Sequence, residues 1–323
     1  MTHLTRLLAA TALTAAALPA AAETWDMPLA YPATNFHSET AESFATCVGE
    51  ATGGEIEIKT HPNGSLFSGG DIKRAVQTGQ ALIGERLLSA HANENALFGY
   101  DSIPFLATSF DDSVQLNEAA RPALEELLQS QNLHLLYSVP WPPQGLYTKK
   151  EVNSVADLQG TKFRAYNAAT ARLAELAEMQ PVQIEAAELS QALATGVAES
   201  FVSSGSTGYD EKVWEHLTNF YEVDAWLPRN TVFVNLDAWN GLSEEQQSAM
   251  TDCAEAAQEE GLAKSKELTQ FYLDGLKEGG MEVGPPGDEL KAGLQDIGET
   301  MTEEWLNDAG DKGQSIVDGY KGN

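Results

Sequence analysis

Asn153-Ser154-Val155-Ala156-Asp157-Leu158-Gln159-Gly160-Thr161-Lys162-Phe163-Arg164-Ala165 reads as a short helical turn, a glycine stop and a strand over 161–165. Arg164 stands near the end of that strand, and the residues from Asn167 to Thr170 can cap a new helix just beyond it. An arginine so placed suits a carboxylate. Its planar fork of donors matches two carboxylate oxygens, and the helix start adds free N–H groups and a positive dipole end. A lone edge-strand arginine is more often half of a surface ion pair, so its surroundings must decide.

On both sides of this stretch strands alternate with helices. Upstream, 25–30 and 55–60 alternate as strands around an amphipathic helix over 38–50. A buried strand over 81–88 is expected to break at Gly84-Glu85-Arg86, and a helix over 111–129 to be interrupted near Pro122. A strand over 133–139 runs into Trp141-Pro142-Pro143-Gln144, where two prolines exclude helix and central strand. Downstream, helices over 168–178 and 187–195 alternate with strands over 181–184 and 199–203. Strands over 219–226 and 231–235 follow. Ser243-Glu244-Glu245-Gln246 then starts a helix that runs to about Gly279, and one or two helices close the chain. The alternation implies parallel-rich sheets and βαβ units. A helix of that length fits two α/β lobes that it spans.

The chain opens with Arg6, an alanine-rich apolar run over 7–18 and Pro19-Ala20-Ala21-Ala22, the pattern of a secretory leader cleaved after about Ala22. Export and a periplasmic location are therefore expected. Removing Arg6 takes the formal net charge from -29 to -30. That balance argues against nucleic acid, which needs clustered Lys and Arg, and for a soluble monomer. Cys47 and Cys253 both lie in helical patterns, and export permits a bridge between them.

Catalytic constellations are missing from the sequence. There is no G-x-S-x-G elbow, P-loop or Rossmann glycine fingerprint. The histidines are scattered, with no H-x-x-x-H or H-E-x-x-H spacing for a metal. The run Ser203-Ser204-Gly205-Ser206 and the many carboxylates leave one alternative, a secreted hydrolase of an acidic or sugar substrate. No cofactor is expected.

The Asn153–Arg164 stretch resembles the D-L-x-G-x-K-x-R signature of the substrate-binding subunits of TRAP transporters, of the dicarboxylate-receptor type. Asn63-Gly64-Ser65-Leu66, Ile103-Pro104-Phe105, Gln191 to Val197 and Leu242 to Gln246 match in order. The resemblance implies a two-lobed α/β periplasmic binding protein with a ligand cleft between the lobes and a long helix spanning both. It places 23–142 plus 229–266 in lobe I and 143–228 plus 267–323 in lobe II. It carries the carboxylate-receiving role onto Arg164 and implies membrane subunits of a TRAP transporter as partners. Gln144 stands where many members have a second arginine, and Ser203 where many have an asparagine. Trp141 and Phe201 are expected to cover an apolar ligand face. Glu85 should accept from hydroxyls or an amine, Asn167 should add a donor, and Tyr31 should reach in from the first loop. The expected ligand is a small organic acid: a sugar acid or other hydroxylated monocarboxylate first, an aromatic acid next.

Overall fold

The computed structural model describes residues 23–322, so the expected leader lies outside the described residues. In chain order the elements are β1 Glu23–Pro28, α1 Phe36–Ala51, β2 Ile56–His61, α2 Ile72–Gln77, β3 Ile83–Leu87, α3 Phe110–Ser130, β4 Leu133–Pro140, β5 Gln144–Thr148, β6 Lys162–Ala165, α4 Ala168–Leu176 and β7 Gln180–Gln183. They continue as α5 Leu189–Ala194, β8 Ser200–Ser204, α6 Gly205–Asp210, β9 Asn219–Tyr221, β10 Arg229–Asn235, α7 Leu236–Gly241, α8 Glu244–Glu278, β11 Glu282–Gly284 and α9 Asp288–Lys321.

The strands form two groups. One holds the β1-β2 pair and a sheet in the order β3-β10-β4; the other is a sheet in the order β11-β9-β5-β8-β6-β7. Pairing is parallel for β1–β2, β6–β7, β6–β8 and β9–β11, but β10 and β5 run antiparallel to both their neighbours. The sheets are therefore mixed rather than parallel-rich. The strands that follow the two crossings between the groups, β5 and β10, each insert between two neighbours that run the opposite way.

Two expected breaks are absent, for local reasons. The strand β3 runs unbroken through Gly84-Glu85-Arg86, all of it buried. A Cβ on Gly84 would lie 2.9 Å from both Ile72 and Val76 of α2, so the glycine permits close packing there. The helix α3 continues through Pro122 because Leu116, Ala120, Leu124 and Leu128 bury its opposite face. The α9 span is two helical stretches that meet at a kink at Gly310, whose φ of 59° lies outside the helical region.

The 35-residue α8 spans roughly 50 Å at 1.5 Å per residue. Ser243 and Gln246 cap its start reciprocally. Met250, Cys253, Ala257, Gly261, Ser265, Tyr272 and Leu276 form its buried seam. It packs on α1 and β4 at one end and on α6 and β11 at the other, so it links both groups of strands. A disulfide joins Cys47 of α1 to Cys253 of α8 across 206 residues. Among the described residues no helix is long and apolar enough to cross a membrane.

Candidate ligand-binding cleft

The two groups of strands face each other over a cleft of about 430 Å³, its open mouth included. It sits beyond the C-terminal ends of β3, β4, β6, β7 and β8, where loops converge and strand ends leave backbone groups free. From the first group come Tyr31, Arg86, Leu87 and Trp141; from the second come Gln144, Arg164, Tyr166, Glu185, Ser203 and Thr207. Pro228 lies at the return crossing.

Arg164 is 4% exposed. Its Nε donates to the Ile184 carbonyl at 2.9 Å, which fixes the plane of the guanidinium. The Tyr166 ring lies 4.9 Å from its central carbon and holds it from one side. Among the described residues no other protein group takes a hydrogen bond from it, so the two terminal nitrogens present a free fork in the cleft. Burial holds its pKa below the usual arginine value, yet a guanidinium stays charged at any physiological pH.

Tyr31 and Trp141 form an aromatic corner, edge to face with ring centres 4.7 Å apart. Phe36 and His37 back the Trp141 indole at 5.5 and 4.3 Å. Its Nε1 donates to Asn230 Oδ1 at 2.8 Å, which fixes the ring's direction. Burial pushes the Tyr31 phenol up to about 12, so it stays neutral. Gln144 lines the cleft, but both ends of its amide are engaged: Nε2 donates to the Pro142 carbonyl, and Oε1 accepts from Tyr166 Oη. Ser203, 5% exposed, makes no side-chain hydrogen bond among the described residues.

Three expected residues lie elsewhere. Phe201 is on the cleft side of β8 but one pleat deeper than Ser203, roughly 7 Å along the strand. There it stacks on Tyr147 with ring centres 4.4 Å apart, inside the core. Asn167 caps α4, accepting from the Thr170 N–H, and its amide nitrogen donates to Ser89 and Ser102 of the opposite group at 3.0 and 3.4 Å. It stitches the two sides together rather than facing the cleft. Glu85 turns away from the cleft and away from Arg86. One oxygen accepts from Asn230 Nδ2 at 2.7 Å, while the other is buried without a partner. Burial pushes this carboxyl up to about 7. His37 Nδ1 lies 3.5 Å from it, but burial keeps that ring neutral, so the two form no ion pair.

Arg86, Glu185 and Tyr166 are cleft residues that the motif reading passed over. Arg86 is 4% exposed and Glu185 31%, and they pair across the cleft at 3.1 Å. Strand alternation carried the signal for Arg86, because consecutive residues of β3 must face opposite ways. Glu185 follows β7 as Tyr166 follows β6, at the strand ends where ligands are met. Two further contacts cross between the groups: Asn35 Nδ2 donates to Asp210 Oδ2 at 2.7 Å and to Ser206 Oγ at 3.4 Å.

A profile described as bacterial extracellular solute-binding protein, family 7, matches residues 29–308. A solved structure from an unidentified marine metagenome microbe is 55% identical, covers 94% of this chain and 99% of its own, and superposes with a TM-score of 0.93. It is a TRAP solute-binding protein specific for pyroglutamate, in complex with co-purified pyroglutamate. A Bordetella pertussis extracytoplasmic solute receptor binding pyroglutamic acid is 44% identical over 93% of this chain and 100% of its own, with a TM-score of 0.92. A monocarboxylate 2-oxoacid-binding periplasmic protein of Nostoc is 24% identical over 87% of this chain and 78% of its own length.

Proposed function

Since the chain belongs to family 7 of the bacterial extracellular solute-binding proteins, we propose that it is the periplasmic receptor of a TRAP-type transporter and binds pyroglutamate or an acid of that class. The observation that carries this reading is the free fork of Arg164 in a cleft whose aromatic and apolar lining is Tyr31, Trp141, Tyr166, Leu87, Ala186 and Pro228. A single carboxylate meets the fork, and a compact, mostly apolar ring meets the aromatic corner. The pyroglutamate-binding relatives at 55% and 44% identity support this ligand over the sugar acids expected from the sequence.

The carboxylate accepts two charge-assisted hydrogen bonds from Arg164, each contributing about 1.5–3 kcal/mol. Ser203 donates to the ring's polar edge. Gln144 acts one step back, holding the Tyr166 hydroxyl and so the ring beside Arg164. The ligand bridges lobe I, residues 23–142 plus 229–266, and lobe II, residues 143–228 plus 267–323. Its binding energy draws the lobes together, because only the closed form offers both sets of contacts. The hinge runs through 141–143, 222–228 and the middle of α8. The last helix adds ties back to lobe I, with Trp305 Nε1 on the Ala96 carbonyl and Tyr320 Oη on the Leu106 carbonyl. The closed monomer then docks on membrane subunits that use an ion gradient.

A hydrolase finds no support in the serine run. Ser204 Oγ caps α6, and among the described residues no histidine ring nitrogen bonds a serine. The receptor is tested on protein stripped of ligand by unfolding and refolding. Its melting temperature should climb with pyroglutamate concentration, by about 2.7 kcal/mol of stability at one hundred times Kd. A flat response to pyroglutamate and to a panel of small monocarboxylates would end the proposal.

A further inference from the structure

Three charged side chains line the cleft: Arg164, Arg86 and Glu185. Arg86 comes from β3 and Glu185 from the loop after β7, 99 residues away, and they meet at 3.1 Å. The Glu185 side of this pair is anchored through the backbone beside it. Arg164 Nε grips the carbonyl of Ile184, the residue just before Glu185, so the main carboxylate receptor also positions the acidic side chain. Gly69, where a 3₁₀ turn starts before α2, lies against the pair: a Cβ there would come within 2.6 Å of Arg86 Nη1 and 2.7 Å of a Glu185 oxygen. A larger residue there would push against the ends of this bridge, and the glycine leaves them in place.

We infer that Glu185 sets the charge that the cleft accepts, cancelling Arg86 so that a single positive charge, on Arg164, remains for a singly charged acid. Two arginines facing one closed cleft would otherwise suit a dicarboxylate. With Glu185 bonded to Arg86, a second ligand carboxylate meets an acid where it needs a cation. Bringing two like charges together there is unfavourable. Selectivity here comes from a repulsive group as well as an attractive one. The same bridge joins the two sides of the cleft, so it also favours closure.

This inference rests on the receptor reading above, and calorimetry separates the two. Wild type, Glu185→Gln and the double variant Arg86→Gln with Glu185→Gln are titrated with pyroglutamate, a monoanion, and with glutarate, a five-carbon dianion. Glu185 is a third exposed and outside any strand, so the amide variant keeps the fold. The wild type should prefer pyroglutamate by about a hundredfold or more. Glu185→Gln should move that ratio toward glutarate by about tenfold or more, and the double variant should move it back. A glutamate that served only as an interlobe fastener would weaken both ligands alike. A ratio in Glu185→Gln within about threefold of wild type, alongside normal wild-type binding, would overturn the inference and leave the receptor reading standing. Wild-type protein that binds neither pyroglutamate nor any small monocarboxylate would overturn both.

Discussion

Arg164 and Glu85 are both buried ionisable residues on strands that end at the cleft, yet they are held in opposite ways. Arg164 has one nitrogen tied to backbone and its terminal pair free, facing open space. Glu85 has one oxygen tied to Asn230 and the other shut in the protein interior. A guanidinium keeps its charge under burial, whereas a carboxyl raised to about 7 surrenders its charge over much of the neutral range. The first arrangement leaves a charge for a guest. The second uses a carboxyl as part of the wall, orienting Asn230 so that its oxygen meets the Trp141 indole. Being buried and ionisable is therefore no mark of a binding residue; the direction of the side chain decides. Phe201 and Ser203 repeat the contrast on one strand, one in the core and one at the cleft.

Four substitutions would break or sharpen this contrast. Arg164→Ala should cost the most, about 3–6 kcal/mol of pyroglutamate affinity from two charge-assisted bonds, read by calorimetry. Retained affinity would mean that the fork faces nothing. Phe201→Ala should instead cost about 3–5 kcal/mol of stability in denaturant melts, with the refolded protein still binding. A selective loss of affinity at unchanged stability would move Phe201 to the ligand. Glu85→Gln should alter pH dependence. A folded-state carboxyl raised from 4.5 to about 7 binds its proton more tightly than the unfolded chain does. Its stabilisation is complete below about pH 4.5 and is lost as pH rises through 7, a change on the order of 3 kcal/mol. Asp101, raised to about 7, and Asp210, raised to about 6, slope the same way. The glutamine variant should therefore flatten, but not abolish, the fall in melting temperature between pH 5 and 8. An unchanged slope would contradict a neutral Glu85. Ser203→Ala should have the smallest effect, about 0.5–1.5 kcal/mol of affinity with no loss of stability.

The alternation of elements, the long helix to about Gly279 and the strand carrying Arg164 were legible in the sequence because each rests on local periodicity and caps. So were Tyr31, Trp141, Gln144 and Ser203 as residues of the cleft, since loops and strand ends announce themselves by position. Glu85, Asn167 and Phe201 were misplaced because depth along a strand, and which of two neighbours faces inward, are set by what packs on each side. Gly84 shows this: only its contact with Ile72 and Val76 reveals that even positions of β3 face α2. Glu185 was out of reach because its partner lies 99 residues away. Nothing local links a loop after β7 to the end of β3.

The order β3-β10-β4 has a consequence for assembly. The two outer strands of this sheet never pair with each other; β10 alone joins them, and it is delivered about a hundred residues after β4 begins. As a chain grows from its N-terminus, β3 and β4 wait with open edges until the whole stretch from β5 to β9 has gone by. Cys47 waits longer still for Cys253. Neither half can therefore be finished before the other has begun, and a product cut short before residue 229 would carry two unzipped strand edges prone to pairing with the wrong neighbour.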